Sequence, residues 1–308
     1  MISNQPVDAA MPRTTAPIWS ALIKDRGKAG AGLSLVERLG VHTALLLLCI
    51  PALLPFLWMV ATSLKSNGQI YATNFTLSTL VPYPPHWHNY TAAFQAIPFL
   101  QYVRNTLYLC LFSVIGAVAS SAVTAYGFAK TDFKGKKLLF MMMISTMALP
   151  AQVTMVPVFA LFRWMGWFGT YLPLIVPAFF GAPFFIFLLT QFYRNLPDDL
   201  GEAARIDGAG EWRIFWQIMM PMSRPALVTC ALFQFLNTWN DFFGPLLYIN
   251  DPSKYTLAYG LQQFLGVHGA EWSRLMAAST LFVLPIIVLF FFAQKTFIQG
   301  IATTGSKN

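Results

Sequence analysis

Apolar and polar residues follow one another along this chain in long blocks, not in the short periods of a soluble fold. Six apolar stretches, residues 39–64, 106–129, 138–161, 171–192, 225–249 and 275–297, reach the roughly twenty residues a helix needs to cross a bilayer. They predict an all-α, polytopic membrane protein with six transmembrane helices. Several contain proline: Pro51 and Pro55; Pro150 and Pro157; Pro173, Pro177 and Pro183; Pro285. Spans tolerate proline where neighbouring groups satisfy the freed carbonyls, so kinked helices are expected.

The polar blocks set an orientation. Fifteen of the 20 Lys and Arg residues lie in the N-terminal tail, the turn after the second stretch, the block after the fourth and the C-terminus. The alternate blocks hold five, so both termini and the block around 202–221 are expected in the cytoplasm. The pattern divides the chain into a cytoplasmic N-terminal tail (1–38), a six-span domain (39–298) with a cytoplasmic loop at 193–224, and a C-terminal tail (299–308). The first tail reads as partly disordered and ends in a short amphipathic piece. The apolar run that follows is too long for a signal-peptide core and reads as a retained span.

Composition narrows the class further. Of 308 residues 56% are hydrophobic and only 10% charged, against about a quarter charged in soluble domains. The net charge of +8 is scattered between apolar spans, which argues against a nucleic-acid partner and for membrane lipid. Cys49, Cys110 and Cys230 sit inside apolar runs without metal or redox spacing and read as small buried hydrophobes. His86 and His88 lack a third ligand nearby, so no metal site is expected and their loop reads as an aromatic-anchored interfacial segment.

Polar groups inside the spans are few. Asn237, Asn240 and Asp241 fall on one helical face of the fifth span, and Asp241 should face protein or water, since a mid-membrane charge costs about 2.5–3.5 kcal/mol. That face fits a pathway for a hydroxylated solute or a set of interhelical hydrogen bonds. Gln152, Thr154 and Asn105 are weaker candidates for the pathway, and His42 reads as a capping or snorkelling residue.

The block EAARIDGAGEWRIFWQIMMP, residues 202–221, is the interior place where charges occur at helical spacing. Asp199 and Glu202 predict a capping-box helix start, and Gly208 to Gly210 predict its end. A second short helix over 211–220 should lead to Pro221 and Pro225. Ala203 and Ala204 have no bulk to keep a partner away. Charge and capping alone fit both a docking element and an idle solvated hairpin.

EAARIDGAG followed by Phe215, Ile218, Pro221 and Pro225 resembles the EAA loop of bacterial ABC importer permeases, in particular the carbohydrate-uptake group with maltose-type and glycerol-phosphate-type second permease subunits. Residues 125–128 (AYGF), 149–153 (LPAQV) and 239–241 (WND) extend the resemblance over most of the chain, and Met220 replaces a common leucine. The resemblance implies the type I ABC importer transmembrane fold and a loop helix that couples to a cytoplasmic ATPase. It implies docking through Glu202, Ala203, Ala204, Asp207 and Gly208. The expected partners are a second permease, two ATPase copies and an extracytoplasmic solute-binding protein, in a bacterial inner membrane. The chain has no phosphate-cradling GxxxxGK[ST] motif, so ATP and magnesium are expected on the ATPase, with no cofactor and no catalysis here. Asn237, Asn240, Asp241 and Gln152 are then candidates for the pathway or outer gate of a sugar, oligosaccharide or polyol phosphate. Two alternatives stand: an ion-coupled secondary transporter, and a membrane-embedded enzyme acting on lipid-linked substrates. No strong internal repeat supports the first, and Asp241 and His42, the spans' main titratable groups, lie at opposite ends for the second.

Overall fold

The computed structural model describes residues 34–71, 81–266 and 269–305. Residues 1–33 of the predicted N-terminal tail and the last three residues lie outside them. Two compact units divide the chain, Met1–Leu57 and Trp58–Asn308. Helix α1, Leu35–Ser63, begins in the first. Its start is a capping box: the Glu37 amide donates to Ser34 Oγ (3.3 Å), and Glu37 Oε2 accepts from the Ser34 amide (2.8 Å). His42 Nδ1 lies 2.7 Å from Arg38 O, a bond within its own helix. Cys49 is exposed here, unlike the buried hydrophobe predicted, as is every residue from Val36 to Pro55.

The second unit is organised by one long helix. After α2 (His88–Ala96), α3 runs from Phe99 to Lys130, followed by α4 (Lys136–Thr146), α5 (Ala151–Trp164), α6 (Pro183–Arg194), α7 (Asp199–Ile206), α8 (Arg224–Trp239) and α9 (Trp272–Gly305). A two-stranded antiparallel pair, β1 (Leu265–Gly266) with β2 (Gly269–Ala270), precedes α9. Among the described residues four helical stretches are long and apolar enough to cross a membrane: Val36–Ser63, Phe99–Lys130, Leu172–Arg194 and Trp272–Gln294.

The third and fifth predicted spans are broken instead of continuous. In the third, Pro150 forces its neighbour out of the helical region, so α4 and α5 are separate helices of 11 and 14 residues. In the fifth, α8 stops after 16 residues, and a six-residue helix, Phe243–Tyr248, completes the stretch. At the other end α9 continues to Gly305, past the predicted start of a C-terminal tail.

Two clusters fill the core, and α3 contributes to both. One packs Ala122, Tyr126, Leu189, Tyr193, Ile214, Phe215 and Met219; the other packs Ala93, Tyr102, Cys110, Trp239, Leu257 and Ala277. Cys110 and Cys230 are buried in them as predicted. Small residues on α3 let backbones approach closely, as membrane interfaces require: a Cβ on Gly116 would sit 2.5 Å from the Phe179 ring. The kinked fourth span shows how its loose ends are satisfied. Ser120 Oγ donates to Ala178 O (3.1 Å), and the Ala182 amide donates to Ser121 Oγ (3.1 Å). A continuous helix would pair that carbonyl and that amide with each other. Asn105 is structural, its amide donating to Ser253 O (2.9 Å) and Tyr255 O (3.0 Å).

Candidate functional site

The loop between α6 and α8 is an exposed helix on a buried base. Helix α7 starts at Asp199, but the expected capping box is absent: Asp198 is the N-cap and makes no side-chain cap bond. Its carboxylate turns instead to Lys130 Nζ at the end of α3, 2.5 Å away, and the same ammonium donates to Leu196 O at 2.8 Å. The lysine side chain is 6% exposed and the aspartate 75%. The hydrogen bond from Lys130 holds the Asp198 carboxyl below its usual range. A covered cation outcompetes the local amides for that carboxylate.

The C-terminus of α7 closes as predicted. Gly208 has φ 81°, the Ala209 amide donates to Ala204 O (2.9 Å) and the Gly208 amide to Arg205 O (3.0 Å). This pair of bonds is a Schellman motif, which places glycine in the left-handed region. The chain then enters Glu211–Ile214, a π-helical turn Phe215–Met219 and a last turn Met220–Met222. Ile214, Phe215 and Met219 are buried against Tyr126, Tyr193 and Leu189. Gly201 is the buried residue of α7, and a Cβ there would be in ordinary contact with Met219 Cε at 3.8 Å.

One carboxylate joins three elements. Glu211 Oε1 accepts from Arg205 Nε of α7 (2.7 Å), and Oε2 accepts from the Tyr126 hydroxyl of α3 (2.5 Å). These bonds, Arg205's first, hold the Glu211 carboxyl below its usual range. The loop is thereby tied to a membrane helix through polar contacts as well as apolar ones. Of the five residues predicted to dock, Glu202, Ala203, Asp207 and Gly208 are exposed, whereas Ala204 is half-buried and faces the chain's own core. Exposed beside them are Ile206, at 86%, and Trp212, at 66%. The sequence reading passed over both, although a large apolar side chain at each end of a polar turn is a visible signal.

The second site is a polar pocket of about 280 Å³ lined by Gln234, Asn237, Thr238, Asp241, Leu109, Leu174 and Pro245. Its four polar residues recur at helical spacing, and Gln234 Nε2 donates to Thr238 Oγ1 (3.1 Å). Asn240, predicted on the same face, is outside it: as C-cap of α8 its amide folds back to Leu236 O (2.8 Å). Asp241 Oδ1 accepts from the Gly244 amide at 2.9 Å. Gln152 and Thr154 line a neighbouring cavity of about 350 Å³ whose wall includes Gly244 and Tyr248. Gln234 and Thr238 were missed, and their spacing from Asp241 was the signal.

Residues 116–303 match the family of binding-protein-dependent transport system inner membrane components. The chain belongs to this family. The permease is 32% identical to the diacetylchitobiose uptake system permease protein NgcG of Streptomyces coelicolor, over 86% of this chain and 87% of that one. It is also 32% identical to the arabinooligosaccharides transport system permease protein AraQ of Bacillus subtilis, over 88% and 96%. Among solved structures it matches a bacterial ABC transporter involved in the import of the acidic polysaccharide alginate, with TM-score 0.73 and 22% identity, over 86% of this permease and 99% of that chain. That likeness shows the fold, the all-α transmembrane fold of type I ABC importers.

Proposed function

We propose that this permease is one of two membrane subunits of an ATP-driven importer for a carbohydrate, and that the loop carrying α7 docks on a cytoplasmic ATPase. The ATPase, present in two copies, binds ATP and magnesium, a solute-binding protein delivers the cargo from outside, and both termini face the cytoplasm. The observation that carries the reading is the mounting of α7. Its outer face, with Glu202, Ala203, Asp207 and Gly208, is free for a partner, while its inner side is fixed to α3 through Lys130, Tyr126 and Met219. A force applied to α7 therefore reaches a membrane helix without a flexible linker between them. Rigid-body rocking of the spans would switch access from one side to the other. Carbohydrate cargo is supported by the relatives, permeases for diacetylchitobiose and arabinooligosaccharides, and a pathway past Gln152, Asn237 and Asp241 by the polar cavities. The test replaces Glu202 with Lys, or Gly208 with Val, in the complete transporter. ATPase co-purification and ATP-dependent uptake should both fall severalfold, and unchanged assembly and uptake would contradict docking through this helix.

A further inference from the structure

The polar pocket is lined by a carboxylate. Asp241 lines it together with Gln234, Asn237 and Thr238, whose side chains offer neutral donors and acceptors. Its remaining walls, Leu109, Leu174 and Pro245, are apolar. The carboxylate is fixed, not floppy: Oδ1 accepts the Gly244 amide at 2.9 Å. Glycine leaves room for that tether: a Cβ at this position would overlap Asp241 Oδ2 and come within 2.8 Å of Leu174 Cδ2, so both side-chain ends would have to shift. None of the ion pairs among the described residues involves Asp241; Lys130, Lys136, Arg205, Lys254 and Arg274 pair elsewhere. A fixed carboxylate in a partly desolvated, apolar-walled pocket repels anions more strongly than the same group in water.

We infer that Asp241 makes this pocket an anion-excluding filter, so that the cargo passing it is an uncharged, hydroxyl-rich or amino-bearing solute and not an acidic or phosphorylated one. The inference rests on the proposed pathway and narrows its cargo. A sugar hydroxyl or ammonium can donate to the carboxylate, whereas a phosphate or uronate brings a second negative charge with no cation to meet it.

The test needs no knowledge of the cargo. Asn237→Cys is introduced into the complete transporter, with Cys49→Ala to remove the exposed native thiol, and modified with a positively and a negatively charged methanethiosulfonate. Relative to a free thiol, the cationic reagent should react about tenfold faster than the anionic one. Adding Asp241→Asn should abolish that preference. Equal rates, a preference for the anion, a preference that survives Asp241→Asn, or no reaction with either reagent would overturn the inference. So would an identified cargo bearing a carboxylate or phosphate. ATPase co-purification and uptake test the permease reading separately, so its failure and the failure of the charge filter are distinguishable.

Discussion

Two carboxylates in this permease are handled in opposite ways. Glu211, at the edge of the docking loop, has both oxygens engaged, one by the Arg205 guanidinium and one by the Tyr126 hydroxyl. Asp241, in the polar pocket, accepts from the backbone amides of Gly244 and Phe243 and makes no ion pair among the described residues. A paired charge is a structural fastener, since its field is spent on its partners. An unpaired one keeps its field for whatever enters. On the proposed function, the loop is a handle and the pocket a contact surface for solute.

The most damaging way to break this contrast is Gly244→Ala. The added methyl would displace the Asp241 carboxylate and the end of Leu174, and overpacking of this kind costs about 1–3 kcal/mol. The thermal unfolding midpoint of the detergent-purified complex should drop by several degrees and uptake should fall with it; a wild-type midpoint would show that the tether is dispensable. Gly208→Ala comes next. Nothing lies within 4 Å of a Cβ there, so its cost is purely conformational, about 1–2 kcal/mol for a left-handed residue. ATPase co-purification should weaken, while Gly210→Ala, at an ordinary negative φ of −74° with equally open space, should leave it unchanged.

Glu211→Gln should cost less, about 1 kcal/mol, because the pair with Arg205 is nearly half exposed and screened. Tyr126→Phe removes the other bond and keeps the packing against Phe215 and Tyr193. If the fastener acts as one unit, the double variant should be no worse than Glu211→Gln in uptake per ATP hydrolysed; additive losses would argue for two independent contacts. The smallest effect is on pH. The Glu211 carboxyl is held below its usual value, so its contribution to loop stability is complete above about 4.3, the ordinary glutamate value, and is lost as pH falls through the lower folded value. Amide hydrogen exchange in residues 199–222 should accelerate in that acid window, and Glu211→Gln should remove the transition.

Much of this was legible in the sequence. Apolar length alone located α1, α3, the kinked fourth span and α9, because nothing but a bilayer rewards such runs. The Schellman turn at Gly208 was legible from glycine placement. The break after Trp239 was not, since Asn240 and Asp241 fit a continuing helix, and extending the helix misplaced Asn240 onto the pocket face. The true face, residues 234, 237, 238 and 241, was readable but masked by attention to the compact Trp-Asn-Asp run. The start of α7 misled for another reason: Lys130 lies 68 residues before Asp198, and no local rule anticipates a capping carboxylate captured from that distance. The bond between Tyr126 and Glu211, 85 residues apart, was out of reach for the same reason.

The central claim is that α7 is the handle by which a cytoplasmic ATPase moves this permease. A photo-activated crosslinker placed at exposed Ala203 in the complete transporter tests it most directly, with an identical probe at Trp164, exposed at the C-terminal end of α5, as the comparison. The account predicts that the Ala203 probe captures the ATPase subunit and the Trp164 probe does not. Capture from Trp164, or from neither position in a complex that still hydrolyses ATP and transports, would contradict it.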